Sequence, residues 1–460
     1  MTTRITSENI TDATIGTGDL ASSVPLNTQW QAVVTASTLN AAAGKGYFID
    51  TTSNACTITL TASGSATAGD TVVFKDYARN WGTNAVTFAS NRFDGVDGAT
   101  PSFNTTGQTI TMIHMGATKG WSLINQDTTS ALGAQFVAAT GGTLTTSGSF
   151  KIHTFLADSN FVVSNAGNAA GSNKVDYMIV AGGGGSGGYA GGGGGGGGFR
   201  ASNSTCMPAP VTSPLVAPTG ITVTAQTYPI TVGAGGAAGN TAGTSSPYIG
   251  GQGSNSIFST ITSTGGGGGA NNGANGTNGG SGGGAGGEGP NDHVGGLGNT
   301  PPVSPSQGNN GGAGGSAPSG RASAGGGGAG AVGTSVRSGD PACGGAGGVG
   351  SYMVAGETFA GCRGTTGPVC GARYFSGGGG GGVESAPTIP GGLGSNGAGG
   401  AGGGGQAGPN PTTRGNGVAG TANTGGGAGG ASRRDCNGPP YGSPQAGGKG
   451  IVILRYKYQD

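Results

Sequence analysis

Charge is scarce: only 8% of the 460 residues are Asp, Glu, Lys or Arg, against about 25% in an ordinary globular protein. The formal net charge is +1. No basic stripe and no acidic tail can form, and the glycine-rich part carries no RGG repeats, so nucleic acid is not expected as a partner. The longest apolar stretches fall short of the roughly 18 residues a membrane-crossing helix requires. The opening segment MTTRITSENITD has no apolar core, and the chain is therefore expected not to use the secretory signal route. Six cysteines (Cys56, Cys206, Cys343, Cys362, Cys370 and Cys436) are too few to form a disulfide scaffold, and none sits in a CxxC pair. They read as free thiols, with a loop staple between Cys362 and Cys370 as the alternative.

Catalytic patterns are missing too. The three histidines, His114, His153 and His293, lack the spacing of a metal site or a triad. His114 and His153 fall within strand patterns. GxGxxG recurs in the glycine runs by composition alone, and residues 182–198 follow a strand pattern without opening a helix. No phosphate loop is present, because Lys449 precedes Gly450 rather than Ser or Thr. Asp94 and Asp97 in FDGVDG read as turn residues rather than calcium ligands. Asp176 and Glu357 make no glycosidase pair. The expectation is a protein that is not an enzyme and needs no cofactor or metal.

Glycine dominates what is there. Of 112 glycines, 18 precede Gly182, so glycine makes up one third of everything after Ala181. Residues 1–26 place an apolar side chain every fifth position: Ile5, Ile10, Ile15 and Leu20. Five is neither the helical nor the strand period. One chain cannot bury so sparse a row, whereas several chains wound on one axis can, so these four residues are the candidate contacts between chains. Residues 27–127 read as a β-sandwich. In CTITLTAS, Cys56, Ile58 and Leu60 alternate with threonines, and DTVVFKDY, NAVTFAS, QTITMIHM and GWSLIN repeat the pattern between turn residues. Residues 128–181 begin a second β-module, which segments 219–233 and 448–460 would complete. KVDYMIVA and GKGIVILRYKY bracket the glycine tract, residues 182–447. Pairing of these two posts would close the tract at its base as an inserted domain.

Glycine-rich sequence often means linker, and ordering costs about 1–2 kcal/mol per residue with no side chain to bury in return. Three features nevertheless predict order. The glycine runs are segmented by loops, alanine rather than serine is the main filler, and the tract starts and ends in strands. Polyproline-II-like strands point their backbone groups outward, and side-chain-free strands can lie close enough to bond to one another on several sides. The expected structure is a parallel-packed sandwich of about ten such strands, without a strict collagen G-X-Y period. The predicted fold class is all-β: β-sandwich modules followed by a polyglycine-II-like domain inserted between paired strands.

These segments carry specific resemblances. ITSENITDATIGTGDLASS resembles the short repeats near the virion-attachment ends of phage fibres, which are usually trimeric. GKGYFIDTT, AGDTVVFKDY, WGTNAVTF and ATKGWSLIN resemble a β-module that recurs in phage tail and capsid fibres. VDYMIVAGGGGSGGYAGGGGGGGGFR, YPITVGAGG, GGSGGGAGG and GGKGIVILRY are similar to the glycine-rich domain of phage fibre proteins. More loosely, they are similar to the glycine-rich adhesins that tip some long tail fibres. The resemblance implies a homotrimeric structural protein on the virion surface. Its N-terminus would be held by other tail or capsid proteins, and its loops would meet a host glycan or outer-membrane protein. The candidate contact residues lie in two loops: Tyr352, Phe359, Arg363, Arg373, Tyr374 and Phe375 in one, and Arg433, Arg434 and Tyr441 in the other. The competing reading has these side chains pinning the polyglycine strands, in a fibre that only decorates the particle.

Overall fold

The computed structural model describes residues 28–124, 134–168, 171–204, 213–240, 248–271, 273–287, 293–317, 320–336, 343–354, 363–385, 395–409, 415–434 and 442–459. Ile5, Ile10, Ile15 and Leu20 lie outside them. The architecture is all-β, with no helix among the described residues. The chain divides into two compact units, one covering residues 1–135 with 168–171 and the other the remainder.

In the first unit a sheet of seven strands faces a sheet of four. The alternation in Cys56–Thr59 is realised directly: Cys56 and Ile58 are buried, Thr57 and Thr59 exposed. Trp81, Trp121, Phe74, Phe88 and Phe93 are fully buried between the sheets. Asp94 (φ 48°) and Gly95 (φ 87°) make the turn that joins Asn91–Phe93 to Val96–Ala99. Successive left-handed residues are what a tight hairpin needs, and Asp-Gly supplies them. Asp97 pairs with Arg92 at 3.5 Å.

The second unit is built on the two posts. Lys174–Val180 and Ile451–Lys457 pair antiparallel, Val180 opposite Ile451 and Asp176 opposite Arg455. Strands Phe150–Phe155 and Phe199–Ser202 flank them in the same sheet. Both posts are buried on both faces, and the period of two sorts their side chains between two cores. Val452, Leu454 and Tyr456 pack with Tyr177, Phe161 and Phe258 against a second sheet that includes Ser159–Ala166 and Thr227–Thr231. Ile451 and Ile453 join Met178, Val180 and Phe199 on the other face.

Between the posts, the glycine tract forms a hydrogen-bonded block whose period is three. Strand 191–198 shows the rule. Gly192, Gly195 and Gly198 donate their N–H groups to Ala270, Gly267 and Thr264; Gly193 and Gly196 to Ala324 and Gly327; Gly194 and Gly197 to Ala428 and Gly425. The carbonyls of the same strand accept from residues 181–187, from 281 and 284, and from 379. One strand thus touches neighbours on all sides, as a threefold backbone with outward-pointing groups allows. This satisfies buried amides without side chains. The expected parallel packing requires correction. Around 191–198, only 324–327 runs in the same direction; the other two acceptor segments run the opposite way. The physical reason is that backbone groups pointing outward all round a threefold strand can bond a neighbour running in either direction, so the geometry does not impose parallel packing.

Candidate functional site

Side chains re-enter the glycine block where a hairpin interrupts it. Ser351–Val354 pairs antiparallel with Ala372–Phe375, in the register Ser351–Phe375, Tyr352–Tyr374 and Met353–Arg373. Cross-strand partners share a face, so Met353 and Phe375 go one way, into the core with Ile451 and Ile453. Tyr352 and Tyr374 go the other way, their rings 5.0 Å apart and tilted by 37°.

Segment 363–371 folds over this pair. Thr365 and Tyr374 exchange backbone hydrogen bonds of 3.0 and 2.8 Å, and Val369 N–H donates to the Tyr374 hydroxyl at 3.1 Å. Gly367 lies so close to the Tyr374 ring that a Cβ there would stand 2.4 Å from it. Tyr374 is consequently only 3% exposed, while Tyr352 stays half-buried. A cleft of about 270 Å³ opens beside the two rings, bordered by Leu215, Ser306, Asn309 and Ser351.

The sequence-derived contact residues therefore part company. Phe375 is 0% exposed. Its assignment as a receptor contact is corrected, because a ring sealed in the core touches no external molecule; it pins the block to the base sheet. Tyr374 offers only a ring edge to the cleft. Arg433 is held internally, with its guanidinium 3.9 Å above the Tyr189 ring and 3.4 Å from the buried Glu384 carboxylate. This too corrects a contact assignment, since the charge is matched within the chain. Tyr352 and Arg373 are half-buried and Arg363 is exposed, so these three can meet a ligand. Phe359 and Tyr441 lie outside the described residues, as does the side chain of Arg434. The two candidate loops belong to different sheets: Arg433–Arg434 pairs with Val383–Ser385, not with the tyrosine hairpin.

Leu215, Ser306 and Asn309 went unnoticed in the sequence. They come from segments far from the hairpin, and no periodicity links them to it. Among the described residues no three His, Cys, Asp or Glu side chains converge as a metal ligand set. His153 and His114 occupy the strands Phe150–Phe155 and Thr109–His114. Cys56 is buried, which raises its thiol pKa; Cys370 is exposed, and Cys362 lies outside the described residues.

No curated protein matches the chain. Residues 158–457, more than half of its length, match a family described as glycine-rich domain. That span begins in the second sheet at Ser159–Ala166, takes in the whole hydrogen-bonded block and ends on the second post, and the chain belongs to this glycine-rich domain family.

Proposed function

We propose that the chain is a structural virion fibre protein of a tailed phage that contacts the host surface through loops of its glycine-rich block. The observation that supports this is the sorting of side chains. Positions inside the block exclude them: a Cβ on Gly193, Gly194 or Gly197 would lie 2.0–2.1 Å from a neighbouring carbonyl oxygen. Recognition chemistry is thereby confined to the perimeter, where Tyr352, Arg363 and Arg373 reach solvent on a scaffold held by backbone hydrogen bonds. Loops on a rigid scaffold are the usual seat of binding. In this reading the protein works as a homotrimer, attached to other virion proteins through its N-terminal segment, and meets a host glycan or outer-membrane protein. It carries out no catalysis.

A second reading, a passive particle-decorating fibre, is favoured by the internal engagement of Phe375, Tyr374 and Arg433. Two measurements separate the readings. Gold-labelled antibody against the full chain locates it on tail or head. Adsorption rate beside a melting curve then tests the hairpin. Tyr352→Ala is expected to slow adsorption with little change in melting. Tyr374→Ala with Phe375→Ala is expected to cost stability by about 3 kcal/mol or more. Normal adsorption by a folded Tyr352→Ala virion, together with a head location, would favour the passive fibre.

A further inference from the structure

We propose that the cleft beside Tyr352 is a binding site for a single neutral sugar ring; this rests on the adhesion reading above and names the ligand class for it. The case is one of exclusion followed by fit. None of the described residues bordering the cleft is charged. A phosphate, a carboxylate or an ammonium group would leave its solvation shell there with no opposite charge among those residues, at a cost that disfavours anionic lipids, acidic sugars and basic peptides. At about 270 Å³ the cleft lies below the range of sites that hold drug-sized ligands, so the occupant is small or is the end of a larger chain.

The lining has two characters. Leu215, with the rings of Tyr352 and Tyr374, supplies apolar surface, and Ser306 and Asn309 supply polar atoms. A pyranose has the same division: C–H bonds on its faces and hydroxyls around its rim. The half-buried ring of Tyr352 can take a sugar face, as aromatic side chains combine large apolar area with a polar end. Asn309 directs its side-chain N–H₂ group to the carbonyls of Gly328 and Ala329, at 3.1 and 2.9 Å. Its own amide oxygen is thereby oriented without using its acceptor capacity in those bonds. Backbone hydrogen bonds of the glycine block hold the walls in place, since Gly330 N–H donates to the Val349 carbonyl at 2.9 Å. A preformed cleft loses little ordering entropy on binding.

The test uses the purified full-length chain and saturation-transfer NMR. The probes are the methyl glycosides of glucose, galactose and N-acetylglucosamine, with methyl glucuronide as the charged control. The expected result is transfer to at least one neutral glycoside and none to the glucuronide. Tyr352→Ala should weaken the neutral signal with an affinity loss of about tenfold, the size of one lost aromatic contact. Val349→Phe, which enlarges a half-buried border residue into the cleft, should abolish it while melting stays unchanged. It serves as the second variant if Tyr352→Ala proves unstable. Absence of transfer to every neutral glycoside overturns the proposal, as does transfer that neither variant alters. Binding of labelled protein to host cells separates the two levels. Cell binding that free glycoside does not compete with sinks the sugar site and leaves adhesion standing. Glycoside binding without any cell binding does the reverse.

Discussion

Gly194 shows why this chain uses glycine where a globular protein would use a hydrophobic residue. Its N–H donates to Ala428, its carbonyl accepts from Gly379, and a Cβ would stand 2.1 Å from the Gly184 oxygen. Its backbone does not need the left-handed region, which the described tract uses at turn positions such as Gly273, Gly402 and Gly425. The requirement is for closeness of backbones, not for conformational freedom. Gly194→Ala is accordingly expected to lose about 3 kcal/mol or more, because no flexible side chain is available to yield. Ala237→Ser, exposed on the perimeter, should stay within about 0.5 kcal/mol in the same melting experiment. Equal melting of the two variants would contradict the packing argument. A second residue ties stability to pH. His153 is fully buried, 2.6 Å from the Gly141 carbonyl and 3.2 Å from the Tyr456 hydroxyl. Burial lowers its pKa, and nearby Lys151 adds to the shift, with the Gly141 bond opposing them. The folded state therefore takes up the proton less readily than the unfolded chain, whose histidine titrates near about 6.5. The stability this contributes is present above that pH and is lost as pH falls below it. Melting temperature should hold from pH 8 to about 7 and then decline, and His153→Gln should flatten the decline above the carboxylate range. A parallel decline in both proteins would remove His153 as the cause.

At the scale of the element, the paired posts carry one charge pair in a nearly uncharged interior. Arg455 reaches Asp176 at 3.3 Å and Asn203 at 3.2 Å, and both members of the ion pair are only 4% exposed. Asp176 also accepts from the Ser204 N–H and hydroxyl and from the Ser202 hydroxyl. The pair thus ties Lys174–Val180, Ile451–Lys457 and Phe199–Ser202 together at the foot of the block. Asp176→Ala alone leaves a buried guanidinium without its counter-charge and should cost about 3–5 kcal/mol. Asp176→Leu combined with Arg455→Met should recover most of that loss, since an apolar pair of similar volume substitutes well for a buried ion pair. A double variant no more stable than the single one in urea titration would argue against this account. The glycine strands obey an element-level rule as well. Where a strand is surrounded, as in 191–198, every position is buried. In 233–240, on the perimeter, burial recurs at Gly233, Gly236 and Gly239 while Ala234 and Ala237 face solvent. Threefold periodicity is thus local to outer strands and invisible when the tract is scanned as a whole.

On the scale of the whole molecule, the block is ordered by backbone hydrogen bonds, so its amides should behave as a core. Hydrogen exchange followed by mass spectrometry is expected to give residues 191–198 the protection of Lys174–Val180, through global opening only. Exchange there at the rate of an unstructured glycine peptide would show that the tract is a linker. Limited proteolysis of full-length protein should likewise leave the fragment from Gly182 to Gly450 largely intact.

Much of this was legible from residues alone. Alternation in CTITLTAS gave the sandwich face, and KVDYMIVA and GKGIVILRYKY gave the two posts, because the strand period is local. The segmentation of the glycine runs and the strands at both ends of the tract pointed to an ordered domain rather than a linker, because side-chain-free strands can satisfy one another's backbone groups. What the tertiary structure decided is which aromatics face outward. Tyr352 and Phe375 stand opposite neighbouring positions of one hairpin, yet one is half-buried and the other sealed. Arg433 looks like a free loop cation until Tyr189 and Glu384 fold onto it. Leu215, Ser306 and Asn309 meet the tyrosines only because separate stretches of chain end on one side of the block. Burial and clefts depend on contacts between distant segments, and in a tract where a third of the residues are identical, local sequence carries no record of which segment lies beside which.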